Sequence, residues 1–206
     1  MDRSEALQQS TLDQKMHDIY HIAFLLRQKL VPDLISPILD YAEIYWSSTN
    51  ETQVGKYVRV SQSNAPREVL TSDGVVSKAR VRHPVRKVVF RITSHDQGWA
   101  SSRDSGSWTW FTARKSLHEG ALPSETADAD QEPSQGIEIC RNLVADKKWY
   151  THEVTWRADS HDRNEADWVS SLMIGDRILI EAWAMFPGWV NKVQHASITI
   201  YTIAIV

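Results

Sequence analysis

The sequence predicts a mainly β protein, an antiparallel β-sandwich preceded by an N-terminal two-helix segment. Three observations carry this prediction. Apolar residues fall at helical spacing before residue 46 and at a period of two from about Val69 onward. The period-two runs are short and bounded by turn residues. In the last two runs both faces carry apolar residues. Ile178, Ile180, Ala182, Ala184 and Phe186 alternate on one side of the first, and Ile198, Ile200, Thr202 and Ala204 on one side of the second. Trp183, Tyr201 and Ile203 make the opposite sides partly apolar. Strands covered on both faces indicate a sandwich rather than a single exposed sheet.

Taken in order, residues 1–15 are polar and read as a disordered tail. Residues 16–46 read as a helical segment. Ile19, Ile22, Ala23, Leu26 and Leu30 share one face of a first helix. A second helix follows, with Pro32 and Pro37 suited to first turns and Ser36 as its candidate N-cap. Its apolar stripe is Leu34, Ile38, Tyr41, Ala42 and Tyr45. Residues 47–68, rich in Ser, Thr, Asn, Gln and charge, read as a linker. The sandwich domain then spans 69–206, with strands near 69–81, 85–93, 107–113, 137–145, 148–157, 176–186 and 194–206. An acidic, Pro- and Ser-containing stretch at 114–136 reads as a mobile loop. Residues 165–175 form a short helical turn with Trp168, Leu172 and Met173 inward, Gly175 as C-cap and Asp176 opening the next strand.

Composition narrows the function classes. A chain of 206 residues suits one domain with a small appendage. The formal net charge of −3 argues against nucleic acid as the main partner, which needs a concentrated basic face. The basic run Lys78–Lys87 interleaves its charges with apolar residues and reads as a solvated strand face. No run approaches a spanning helix and the N-terminus has no apolar signal core, so no membrane partner is expected and the default compartment is cytoplasmic or nuclear. The single cysteine, Cys140, excludes an internal disulfide and reads as a buried structural thiol. Nine tryptophans are the compositional outlier, and they serve equally a sandwich core or a platform for a sugar or aromatic ligand.

The stretch His95–Phe111, HDQGWASSRDSGSWTWF, concentrates polar groups and indoles at the end of a strand-like run. His95 and Asp96 are the acid/base pair if the protein is an enzyme. In the structural alternative, Asp96 and Gln97 close a tight turn before Gly98 by bonding backbone amides. Trp99 and Trp189, in loops with glycines before them, are the platform candidates. Gln97, Trp110, Arg141, Asn142 and Asn191 complete the candidate ligand-binding set, Arg141 either as an anion anchor or as a structural salt bridge. No metal site is expected. His17 and His21 stand at i, i+4 without a third ligand, and the remaining histidines follow no ligand spacing. No nucleophile elbow, P-loop or dinucleotide fingerprint occurs, so no cofactor is expected.

Val88–Trp99, Gly106–Phe111, Arg141-Asn142, Trp168–Leu172 with Gly175–Ile178, and Phe186–Asn191 together resemble a group of uncharacterised fungal proteins. Those proteins carry an HDQGWS strand end and a GD-I … PGW-N-V C-terminus. Leu30–Ala42 is similar to the start of the F-box-like helical segment that precedes the module in some of them. The resemblance covers about residues 30–206, with Ala100 where the group has Ser and a longer loop at 114–136. It implies a jelly-roll or galactose-binding-like sandwich, related in outline to F-box-associated domains, and no established chemistry. Three functions are compatible with these residues. The first is a non-catalytic module binding a small molecule, a glycan or a protein partner through the 94–111 and 186–191 loops. The second is a cofactor-free cyclase or isomerase of fungal secondary metabolism, acting on a small hydrophobic metabolite. The third is a substrate adaptor in ubiquitin ligation.

Overall fold

The computed structural model describes residues 17–53, 58–61, 65–77, 81–100, 106–116 and 136–204. Within them, helix α1 covers residues 17–27 and α2 covers Pro32–Tyr41. Strands follow at β1 Tyr45–Glu51, β2 Val58–Ser61, β3 Arg67–Thr71, β4 Val85–His95, β5 Thr109–Ser116, β6 Ile137–Arg141 and β7 Tyr150–Arg157. Helix α3, Arg163–Ser170, then precedes β8 Arg177–Ala184 and β9 Val190–Ile203. The disordered tail expected over 1–15 and most of the loop expected at 114–136 lie outside the described residues.

The strands form two antiparallel sheets. One has the order β1-β9-β4-β7, with β2 also pairing β9, and the other the order β3-β8-β5-β6. The pairs β5·β6, β4·β7, β3·β8 and β1·β9 nest about the β5–β6 connection, as in one long hairpin rolled into two layers. Val88, Phe90 and Ile92 of β4 and Ile198 and Ile200 of β9 face inward from the first sheet. Phe111 and Ala113 of β5 and Ile178, Ile180 and Ala182 of β8 face inward from the second. This is the two-layer, mainly β architecture that the doubly apolar strands demand. Phe90 meets Trp156 edge-on at 4.9 Å, and Trp156 meets Trp168 of α3 at 5.0 Å, so the helix seals the open flank beside β7.

The linker expected over 47–68 is instead strand-forming. β1 matches β9 over seven residues, from Tyr45↔Ile203 to Glu51↔Ser197, and β2 matches it further along, from Val58↔Val193 to Ser61↔Val190. The Ser/Thr-rich β1 carries no apolar alternation because its outer side chains face water, and its order comes from a partner about 150 residues away. β5 also runs on to Ser116, so residues 114–116 belong to a strand rather than to the loop. The strand expected at 69–81 is confined to Arg67–Thr71. Beyond it, Ser72 and Val75 still bond the backbone of Ile178 and Asp176.

Both N-terminal helices form, and they dock on the sandwich through Ile19, Ala23, Ile35, Leu39 and Ala204. An ion pair between Arg86 and Asp40 at 3.0 Å fixes α2 against β4. The buried stripe of α2 is therefore Ile35 and Leu39, not the expected Leu34, Ile38 and Tyr41, which are exposed. The helix is apolar on two faces, and only its docking partner selects one of them. Ser36 lies inside the helix, where its hydroxyl donates to the Ala204 carbonyl, and Val31 holds the N-cap position without a side-chain bond. Helix α3 starts earlier than expected because Asp162 caps it, accepting from the amides of Asn164 and Glu165. It ends at Ser170 with Ser171 as C-cap, so Gly175 is not its cap but a turn residue at φ +92° before β8. Its most buried side chain is Val169, with Leu172 buried just beyond it, while Trp168 is half-buried.

Candidate functional site

Three loops meet at one end of the sandwich. They join β4 to β5, β6 to β7 and β8 to β9. The HDQGW stretch organises them, beginning with Asp96, whose side chain is fully buried. One carboxylate oxygen accepts from the Gly98 amide at 2.6 Å and the other from the Ala145 amide at 2.6 Å. The first bond closes the turn after β4 and the second ties in the β6–β7 loop. Burial pushes the Asp96 carboxyl above its usual range, against the downward pull of the Gly98, Ala145 and Asp146 amides. Gly98 adopts φ +84°, and the Lys147 side chain fills the space where a β-carbon would stand.

His95 is buried, and its Nδ1 donates to the Asp96 carbonyl oxygen, which sets the tautomer because a carbonyl can only accept. Its ring stands edge-on to Trp149 at 4.4 Å. Gln97 bridges two loops. Its side-chain oxygen accepts from the Val190 amide at 3.2 Å and its amide donates to the Trp99 carbonyl. Trp99 is 57% exposed and its indole rests on Gly188, at φ +87°, where a β-carbon would come within 3.2 Å of the ring. The 95–99 and 186–191 segments thus meet, about 90 residues apart in sequence.

Asn142 and Asn191 are buried between the sheets. Asn142 donates to Thr109 Oγ1 at 2.9 Å and to Asn191 Oδ1 at 3.0 Å, and its oxygen accepts from Ser94 Oγ at 2.6 Å. Asn191 donates to the carbonyls of Trp110 and Trp183 at 3.2 and 3.1 Å. The two amides link β4 and β9 of one sheet to β5 and β8 of the other, a polar pin with its hydrogen-bonding atoms matched.

Trp110 and Arg141 lie on the outer face of the second sheet. Trp110 stacks on Trp183 at 5.5 Å with the rings 5° from parallel, and the Arg141 guanidinium sits 5.3 Å from the Trp110 ring centre. Arg141 is held by both oxygens of Glu138 at 2.8 and 2.6 Å and donates to the Ser107 carbonyl at 3.1 Å. Trp189 is half-buried in the β8–β9 turn. The candidate residues therefore divide. Asp96, Gln97, Asn142 and Asn191 point into the fold as loop and sheet ties, Trp99 points out, and Trp110 with Arg141 forms a separate stack.

Sequence reasoning missed four exposed residues at this end: Leu143, Trp149, Tyr150 and Phe186, each between 42% and 50% exposed. Phe186, at φ +68°, meets Trp108 edge-on at 4.7 Å. With Trp99, the rings of Trp149, Tyr150 and Phe186 are thus exposed at this end of the sandwich, and the signal for Phe186 was its place directly before Pro187-Gly188, where a strand has to stop. The Cys140 thiol is half-buried, and burial, helped by Glu138, pushes its pKa up to about 12, so it stays protonated. Among the described residues no three His, Cys, Asp or Glu side chains assemble to hold a metal ion, and no helix is long and apolar enough to cross a membrane. No family model, curated protein or solved structure matches the chain.

Proposed function

We propose that this is a non-catalytic recognition module that binds a ligand or a protein partner through the aromatic end of its sandwich. The observation that carries the reading is Trp99. It stays more than half exposed, yet its loop is tied down by Asp96 and Gln97 and its indole is seated on Gly188. A large ring held rigidly in water loses little conformational entropy on binding and gains buried area, which is what a contact residue needs. Leu143, Trp149 and Phe186 are further exposed apolar side chains on the loops at the same end. Asp96 supports this reading as well, because both of its carboxylate oxygens hold loop amides.

The sandwich is further proposed to be of the jelly-roll, galactose-binding-like type, in keeping with the fungal HDQGWS / PGW-N-V group. The nested strand pairs support the first part, since a jelly roll is a long hairpin rolled into two four-stranded sheets. The contact between the two motifs through Gln97 and Val190 supports the second. The test is a glycan array together with binding to candidate protein partners, using the intact chain and its Trp99→Ala and Trp149→Ala variants. Loss of about tenfold or more in affinity, with the fold intact by circular dichroism, is expected. Binding that is unchanged in both variants refutes the assignment.

A further inference from the structure

The outer face of the β1-β9-β4-β7 sheet holds a groove of about 640 Å³ that shares no lining residue with the aromatic end. It crosses four strands, a width of about 14 Å at the usual strand spacing. Its floor is hydroxylic. Ser197 is only 6% exposed although it faces outward, and Thr49 and Thr199 meet across β1 and β9 at 2.9 Å. Its rim is charged, but the charges are paired. Arg91 meets Glu153 at 2.7 Å, Lys87 meets Glu43 at 3.3 Å and Arg157 meets Glu43 and Asp159 at 2.9 Å each, while the His195 ring stands 3.4 Å from Glu51. Tyr201 supplies one half-buried ring, with the Lys87 ammonium 4.6 Å from its centre.

These features select the chemistry of the occupant. A phosphate or sulfate polymer needs unneutralised cations, and here each cation already faces a carboxylate. A hydrocarbon ligand needs an apolar lining, and apart from the Tyr201 ring this wall offers Val89 alone. A hydroxyl group both donates and accepts, so it can bridge a guanidinium and a carboxylate held side by side, and it matches a floor of Ser and Thr. A pyranose also presents an apolar face that an aromatic ring can cover. We infer that this groove is a second binding site, for a neutral oligosaccharide laid across the strands, with Arg91 and Glu153 holding hydroxyls and Tyr201 stacking on a ring. The site is independent of the aromatic end.

The test is calorimetric titration of the full chain with cellohexaose, laminarihexaose, mannohexaose and xylohexaose, and with a heparin hexasaccharide as the charged counterpart. Saturable binding of at least one neutral sugar below about 10 mM is expected. Arg91→Ala and Tyr201→Ala each weaken it by about tenfold or more, while Tyr201→Phe, which keeps the ring, stays within about twofold of the unmodified chain. Trp99→Ala leaves this binding unchanged. Arg91 is well exposed, so its variant keeps the fold and decides the matter if Tyr201→Ala does not. The inference is overturned if none of the four neutral sugars saturates, if heparin alone binds, or if Trp99→Ala abolishes binding that Arg91→Ala leaves intact. The last result would assign the sugar to the aromatic end.

Discussion

Replacing Asn191 with alanine removes the centre of the pin between the two sheets. Three hydrogen bonds go with it: the two from its amide to the Trp110 and Trp183 carbonyls, and the one it accepts from Asn142. At about 0.5–1.5 kcal/mol net for each bond, and with one Asn142 N–H left unmatched in a dry site, the loss comes to about 2–4 kcal/mol. A domain of this size loses roughly 2–4 °C of Tm per kcal/mol, so the midpoint should fall by about 5–15 °C. Thermal melts followed by circular dichroism measure the midpoint, and urea unfolding followed by tryptophan fluorescence measures the free energy. Asn191→Asp is the sharper probe. It keeps the acceptor for Asn142 but turns a carboxylate oxygen toward two carbonyls, so it should cost more than alanine near neutral pH. A double-mutant cycle with Ser94→Ala should give a coupling of about 0.5 kcal/mol or more, because Asn142 joins the two residues. A loss below about 0.5 kcal/mol for Asn191→Ala would show that the two amides do not hold the sheets together.

Three further outcomes follow from the geometry. Asp96→Asn should lose about 1–3 kcal/mol, because the new amide group must point at one of two backbone N–H donors; equal urea midpoints for the two proteins would contradict the turn assignment. Gly98→Ala and Gly106→Ala should each cost about 1–2 kcal/mol from positive φ. Gly98→Ala should cost more, since only there does a side chain, that of Lys147, stand where the methyl would go, and thermal melts of the pair separate the two effects. His152 sits with its Nε2 buried and without a hydrogen-bond partner, and burial lowers its pKa below the unfolded value of about 6.5. The unfolded chain therefore binds the proton more tightly, so the His152 contribution is complete above that pH and is lost as pH falls below it. His152→Gln should flatten the decline in unfolding free energy between about pH 7 and 5; an unchanged slope would remove His152 as its source.

The legible part of the fold was the part written in local periodicity. β4, β8 and β9 are apolar on alternate positions and were readable from that alone, as was the doubled face that called for a second sheet. β1 and β2 were not readable. Their side chains are largely polar or half-exposed, and their hydrogen bonds are satisfied by β9, a partner the local sequence does not reveal. The loop end was legible as a place but not as a set of roles. Asp96 as a turn-former could be read from its position two residues before Gly98, whereas Asn142 as the partner of Asn191 could not.

Residue chemistry and spacing, then, determined the mainly β character, the helical start, the Asp96 turn and the concentration of indoles near one strand end. Tertiary structure decided which of those groups face water. Trp99 is exposed and Trp156 buried although both are indoles, and the Asn191 side chain pins the two sheets together. The reason is that burial and hydrogen-bond matching are properties of pairs. A side chain's role is set by what the rolled hairpin brings opposite it, and β1 and β9, the first and last of the described strands in chain order, meet only when the whole chain has closed.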